Sequence, residues 1–137
     1  MSTHTQEIDY DACDVGDGGF FDVYRTTTRT AAKLHRCYEC DGVILPGDRY
    51  EVATMLYEGW WDTCRSCLAC VEGPMAFVRR NCGGVLHGGV VDHLAVLHSE
   101  YGFRAGVRFR VGRWLVEARR RGDAARRDAL AALERGE

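Results

Sequence analysis

Two cysteine pairs constrain this chain more than any other feature: Cys37-Tyr38-Glu39-Cys40 and Cys64-Arg65-Ser66-Cys67, with Cys70 three residues beyond the second. Two residues between cysteines let both thiolates reach one ion from a tight turn. Two such pairs supply the four sulfur ligands that tetrahedral Zn²⁺ favours. The spacing therefore predicts one structural zinc ion held by Cys37, Cys40, Cys64 and Cys67. Three residues per step on a helix advance about 300°, so Cys64, Cys67 and Cys70 cannot all converge equally well on one ion. Cys70 is accordingly assigned to packing, as is Cys82, while Cys13 is left open between core residue and free thiol. His35, two residues before Cys37, is an alternative ligand.

Other uses of paired cysteines fit less well. Disulfides belong to oxidising compartments, and the start Met1-Ser2-Thr3-His4-Thr5-Gln6-Glu7 lacks the basic and apolar character of a secretory signal. A thioredoxin-like redox pair would sit in a βαβ pattern, which the chain lacks. An iron–sulfur cluster is compatible with the count, Cys70 included, but ranks below zinc.

The residues between the pairs form short apolar and aromatic runs punctuated by Pro46-Gly47 and Glu58-Gly59, so they read as strands joined by turns. After Cys40, Asp41-Gly42 lets the backbone curl under the metal, with Gly42 taking positive φ. Asp62 or Thr63 is expected to cap a helix whose first turn carries Cys64 and Cys67 on one face. The expected class is α+β: a small treble-clef-like domain of knuckle, hairpin and helix, followed by C-terminal helices, in preference to a plain zinc ribbon.

Three segments are expected. Residues 1–22 form an acidic irregular lead-in carrying six Asp or Glu and no Lys or Arg, although Phe20–Tyr24 read as a short strand toward its end. Residues 23–101 form the zinc-binding domain. There Glu72-Gly73-Pro74 should interrupt or restart the helix, Met75-Ala76-Phe77-Val78 should continue it, Asn81-Cys82-Gly83-Gly84 should end that segment, and Val90, Leu94, Leu97 and Tyr101 recur at helical spacing as a core face. Residues 102–137 form an arginine-rich helical extension packed on or beside that domain, with Val111, Leu115 and Ala118 on one stripe and Trp114 adjacent. Gly122 should break this helix and Asp123 should cap a final one. At 137 residues and 46% apolar content the chain is long enough for one core. No apolar stretch approaches the ~20 residues needed to cross a bilayer, so a cytoplasmic protein without membrane association is expected.

Around the pairs, Ala32-Lys33-Leu34-His35-Arg36-Cys37-Tyr38-Glu39-Cys40, then Ile44-Leu45-Pro46-Gly47-Asp48-Arg49-Tyr50-Glu51, then Trp61-Asp62-Thr63-Cys64-Arg65-Ser66-Cys67, resemble a family of small zinc-finger proteins of bacteriophages and prophages. Cys82-Gly83-Gly84-Val85-Leu86-His87-Gly88-Gly89-Val90 is similar to a later element of that family, with Leu86-His87 where an aromatic is usual. The likeness spans roughly residues 24–98. It implies a bacterial host cell as the setting and carries no assigned function.

Three functions are weighed. The first in rank is a non-enzymatic binding protein that engages a host or phage protein as adaptor or inhibitor. Nucleic-acid binding is second: Arg108, Arg110, Arg113, Arg119, Arg120, Arg126 and Arg127 would meet phosphate, and Trp114, Trp60 or Trp61 would stack on bases. The net charge of −2 argues against a dedicated DNA binder. An HNH-like nuclease is third: Asp92-His93, with His87 and His98 nearby, resemble its Asp-His element but follow both cysteine pairs instead of lying between them, and diverge by about 100° on a helix. Oligomeric state is left open.

Overall fold

The computed structural model describes residues 21–100, 103 and 105–136. Its elements run in the order β1 (Val23–Thr30), β2 (His35–Arg36), β3 (Val43–Ile44), β4 (Arg49–Tyr57), β5 (Trp60–Cys67), α1 (Leu68–Cys70), a π-helical turn (Val71–Met75), α2 (Ala76–Cys82), α3 (Val90–Glu100) and α4 (Ala105–Glu134). The class is α+β, as expected. Cys13 and Tyr101 lie outside the described residues, as does most of the acidic lead-in.

Strands β1, β4 and β5 form an antiparallel sheet with β4 in the centre. The central strand, Arg-Tyr-Glu-Val-Ala-Thr-Met-Leu-Tyr, buries side chains on both faces. By contrast β1 is almost wholly exposed and rich in threonine and arginine, a composition that suits an edge strand. It continues to Thr30, well past the Phe20–Tyr24 segment expected from apolar character. Threonines on an open face leave no hydrophobic alternation to read.

Turn chemistry sets the registers. Glu58 (φ 47°) and Gly59 (φ 82°) both occupy left-handed backbone, the two-residue hairpin geometry that matches strand twist. This turn pairs Tyr57 with Trp60 and, seven residues further along each strand, Tyr50 with Cys67. At Leu45-Pro46-Gly47-Asp48 the Asp48 amide donates to the Leu45 carbonyl at 3.0 Å, and Gly47 (φ 95°) takes the position that requires positive φ.

The helix after β5 changes its winding at the proline and continues beyond it, as expected. Pro74 lies inside the π-helical turn, where the widened ring accommodates a residue without an amide. It continues as α2 until Gly83, whose amide donates to the Arg79 carbonyl in a left-handed C-terminal cap (φ 78°). Val90, Leu94 and Leu97 of α3 are buried as expected and join Met75, Phe77, Val78 and Val111 in the main core.

The C-terminal third is one continuous 30-residue helix. Gly122 does not break it, and Asp123 caps nothing. Gly122 is buried, and a Cβ there would stand 2.5 Å from the Cys40 carbonyl oxygen. The glycine therefore permits close approach instead of chain reversal. Trp114 packs edge-on against Phe77 and over Gly73, where a Cβ would meet its Nε1 at 2.8 Å. Among the described residues no helix is long and apolar enough to cross a membrane.

Candidate metal centre

The Sγ atoms of Cys37, Cys40, Cys67 and Cys70 all lie within 4.8 Å of one another and could hold a metal ion. Two local structures deliver them. Cys37 and Cys40 flank a knuckle between β2 and β3, in which the Cys37 amide donates to the Gly42 carbonyl (2.8 Å) and the Asp41 amide to the Cys37 carbonyl (2.9 Å). Positive φ in this turn belongs to Asp41 (63°), not to Gly42. Gly42 is glycine for space: a Cβ there would lie 2.9 Å from the Arg121 Cβ and 3.1 Å from the Cys40 sulfur. The other two thiols come from the junction where β5 ends at Cys67 and α1 begins.

Cys64 is not part of this cluster, and Cys70 takes the place expected for it. The expected helix start at Asp62 or Thr63 is instead mid-strand. Side chains alternate across a strand, so residues three apart face opposite sides of the sheet, and Cys64 cannot join Cys67 in the thiol cluster. It is buried with Ala53, Met55 and Phe21 in a second, smaller core, where burial pushes its thiol up to about 11. Cys70, one helical turn into α1, swings back beside Cys67. The five cysteines 37, 40, 64, 67 and 70 are free thiols. Cys82 is disulfide-bonded, so its role exceeds the packing expected of it. His35 packs at a tilt against Tyr50, 5.4 Å between ring centres, and is not among the clustered thiols.

N–H donors surround the sulfurs. The Cys67 amide donates to Cys37 Sγ and the Gly42 amide to Cys40 Sγ, both at 3.3 Å. Arg121 of α4 donates from Nε to Cys40 Sγ and from Nη2 to Cys70 Sγ, also at 3.3 Å each. Such outer partners fix sulfur orientation and offset negative charge. Crowding also couples the thiol protons. Hydrogen bonding, chiefly with Cys37 and in smaller part with Arg121, holds Cys40 well below the ordinary thiol range. Cys67 is brought down to about 7, first by Cys37. Cys37 is pushed up, first by Cys40, and Cys70 is pushed up, first by Cys37.

The residues expected to meet a partner are dispersed. Arg110 lies over the Phe77 and Trp114 rings, Arg113 pairs with Glu117 (3.6 Å), and Arg126 pairs with Asp123 and reaches Asp41 at 3.5 Å. Arg108, Arg119, Arg120 and Arg127 are exposed. Trp114 is not placed for base stacking, because Phe77 and Gly73 cover it. Trp60 and Trp61, 79% and 59% exposed, stand at the β4–β5 hairpin end beside exposed Tyr57. The histidines of the nuclease reading do not gather. His93 and Asp92 line a shallow cleft against Val78 and Val96, His98 faces Gly112 of α4, and His87 Nε2 meets the Tyr24 hydroxyl at 2.6 Å.

Sequence signals for the missed ligand exist. Counting outward from Glu58-Gly59 in a two-residue hairpin places Cys67 opposite Tyr50, at the end of the strand, and leaves Cys70 as its helical companion. No comparable signal marks Arg121, one of ten arginines between residues 104 and 135. No protein-family model, curated protein or solved structure matches this chain.

Proposed function

We propose that the protein is a zinc-stabilised, non-enzymatic binding module of the phage and prophage type that its sequence resembles, and that its β4–β5 hairpin end engages a protein partner in the host cell. Support for zinc comes from donor chemistry and spacing. Four sulfurs at ~2.3 Å from a central Zn²⁺ stand about 3.8 Å apart, and the Cys40 and Cys67 sulfurs are 3.8 Å apart. The succession of knuckle, hairpin and thiol-bearing helix supports a treble-clef description. Metal analysis of purified protein is expected to return one zinc per chain; a folded protein with no bound metal would overturn this reading.

The observation that carries the partner reading is the pair of exposed tryptophans on a short, well-registered hairpin whose base leads into the thiol cluster. Large aromatics dominate binding energy at protein interfaces, and here they project from the strand end opposite the metal. Of the arginines in α4, Arg110, Arg113, Arg121 and Arg126 are engaged within the fold, which lowers the positive charge free to meet phosphate.

A Trp60→Ser/Trp61→Ser variant is expected to keep its metal and its unfolding midpoint while losing a host protein that the wild type retains on affinity capture. Equal capture by both forms would remove the hairpin from the interface. A salt-dependent gel shift covers the nucleic-acid alternative. Retardation of DNA or RNA at ~50 mM salt that fades as salt rises would favour phosphate contacts by Arg108, Arg119, Arg120 and Arg127 over a protein partner.

A further inference from the structure

We propose that α4 is a strap over the metal centre, with Arg121 the outer positive charge that retains the cation, so that metal occupancy and the docking of this helix support one another. The inference rests on the reading of the four thiols as a zinc site. A single guanidinium bridges the two halves of that site, one hydrogen bond reaching Cys40 of the knuckle and the other Cys70 of the helix. Four thiolates around Zn²⁺ leave two negative charges, and in a largely buried setting an uncompensated charge is costly. Arg121 halves it. The planar fork suits the task because it presents two donors in fixed relation, which an ammonium cannot.

The backbone is shaped for this approach independently of the arginine. Gly122 lets α4 come within contact of the Cys40 carbonyl, and Gly42 leaves room for the Arg121 stem. A glycine inside a helix costs about 1 kcal/mol relative to alanine, and here the close seat of α4 on the knuckle offsets it. Arg126 extends the same contact to Asp41. Coupling of this kind is reciprocal: whatever the docked helix adds to metal affinity, the metal adds to docking.

The test uses the full chain loaded with zinc or with cobalt. Arg121→Ala is expected to weaken zinc binding ~10–100-fold in chelator competition, with Arg121→Lys recovering part of the loss by restoring charge without the fork. In the zinc-loaded protein, Arg121→Ala and Arg121→Lys are each expected to raise amide exchange in residues 118–130 more than in α3. Unchanged zinc affinity in Arg121→Ala, or α4 exchange no faster than in the wild type, overturns the strap. If the alanine variant does not fold, zinc affinity and α4 exchange in the lysine variant decide the matter. A wild type that takes up no zinc sinks the underlying site reading instead, a result distinct from any of these.

Discussion

Cys70→Ser is expected to strip the protein of its metal and of its cooperative unfolding transition, whereas Cys64→Ser is expected to retain both. The two cysteines are six residues apart on consecutive elements, and both are buried, so burial does not distinguish them. Direction does. Cys70 shares a 4.8 Å cluster with three other thiols, while Cys64 faces Ala53 and Met55 across the sheet. Structural zinc contributes ~10–16 kcal/mol of apparent binding free energy in small zinc domains, comparable to the ~5–15 kcal/mol total stability of a typical domain. Losing a ligand therefore threatens the whole fold. A serine at position 64 instead buries one hydroxyl in an apolar setting, a cost of about 1–3 kcal/mol. Metal-to-protein stoichiometry and thermal unfolding of the two variants check this, and metal loss in Cys64→Ser alone would reverse the assignment.

Arg79→Met is expected to destabilise the protein by about 3–5 kcal/mol while leaving the metal content unchanged. Arg79 of α2 grips Glu51 of β4 with two hydrogen bonds, Nη1 to Oε2 at 3.0 Å and Nη2 to Oε1 at 2.7 Å. Glu51 is 8% exposed, on the central strand. Removing the guanidinium leaves a carboxylate in the interior with its main counter-charge gone, and that uncompensated charge accounts for most of the loss. Replacing both partners, as in Glu51→Leu/Arg79→Met, should recover much of it. Denaturant titration of the four members of this cycle measures the coupling. Equal stabilities of the single variant and the wild type would show that water reaches Glu51.

Much of this arrangement is legible in the residues. The knuckle follows from Cys-x-x-Cys and Asp-Gly, the hairpin from Glu58-Gly59, the end of α2 from Gly83, and the buried face of α3 from Val90, Leu94 and Leu97. Each is a local pattern with a local cause. The failures share a different origin, since they depend on what another element does at the same place. Asp62 and Thr63 have the chemistry of helix caps, yet pairing with Met55 and Thr54 keeps them extended, and that displaces the ligand set by one step from Cys64 to Cys70. Gly122 looks like a breaker because glycine weakens a helix in isolation, and only the knuckle carbonyl across from it gives the residue another purpose. Arg121 is indistinguishable from its neighbours until the sulfurs are placed beside it.

The packing of Trp114 over Gly73 gives the molecule an internal optical gauge. Of the three tryptophans in the chain, two stand in solvent on the hairpin, and the third is lodged where α4 meets the turn around Pro74. A protein carrying Trp60→Ser and Trp61→Ser thus keeps a single indole, whose emission reports whether the long helix is seated.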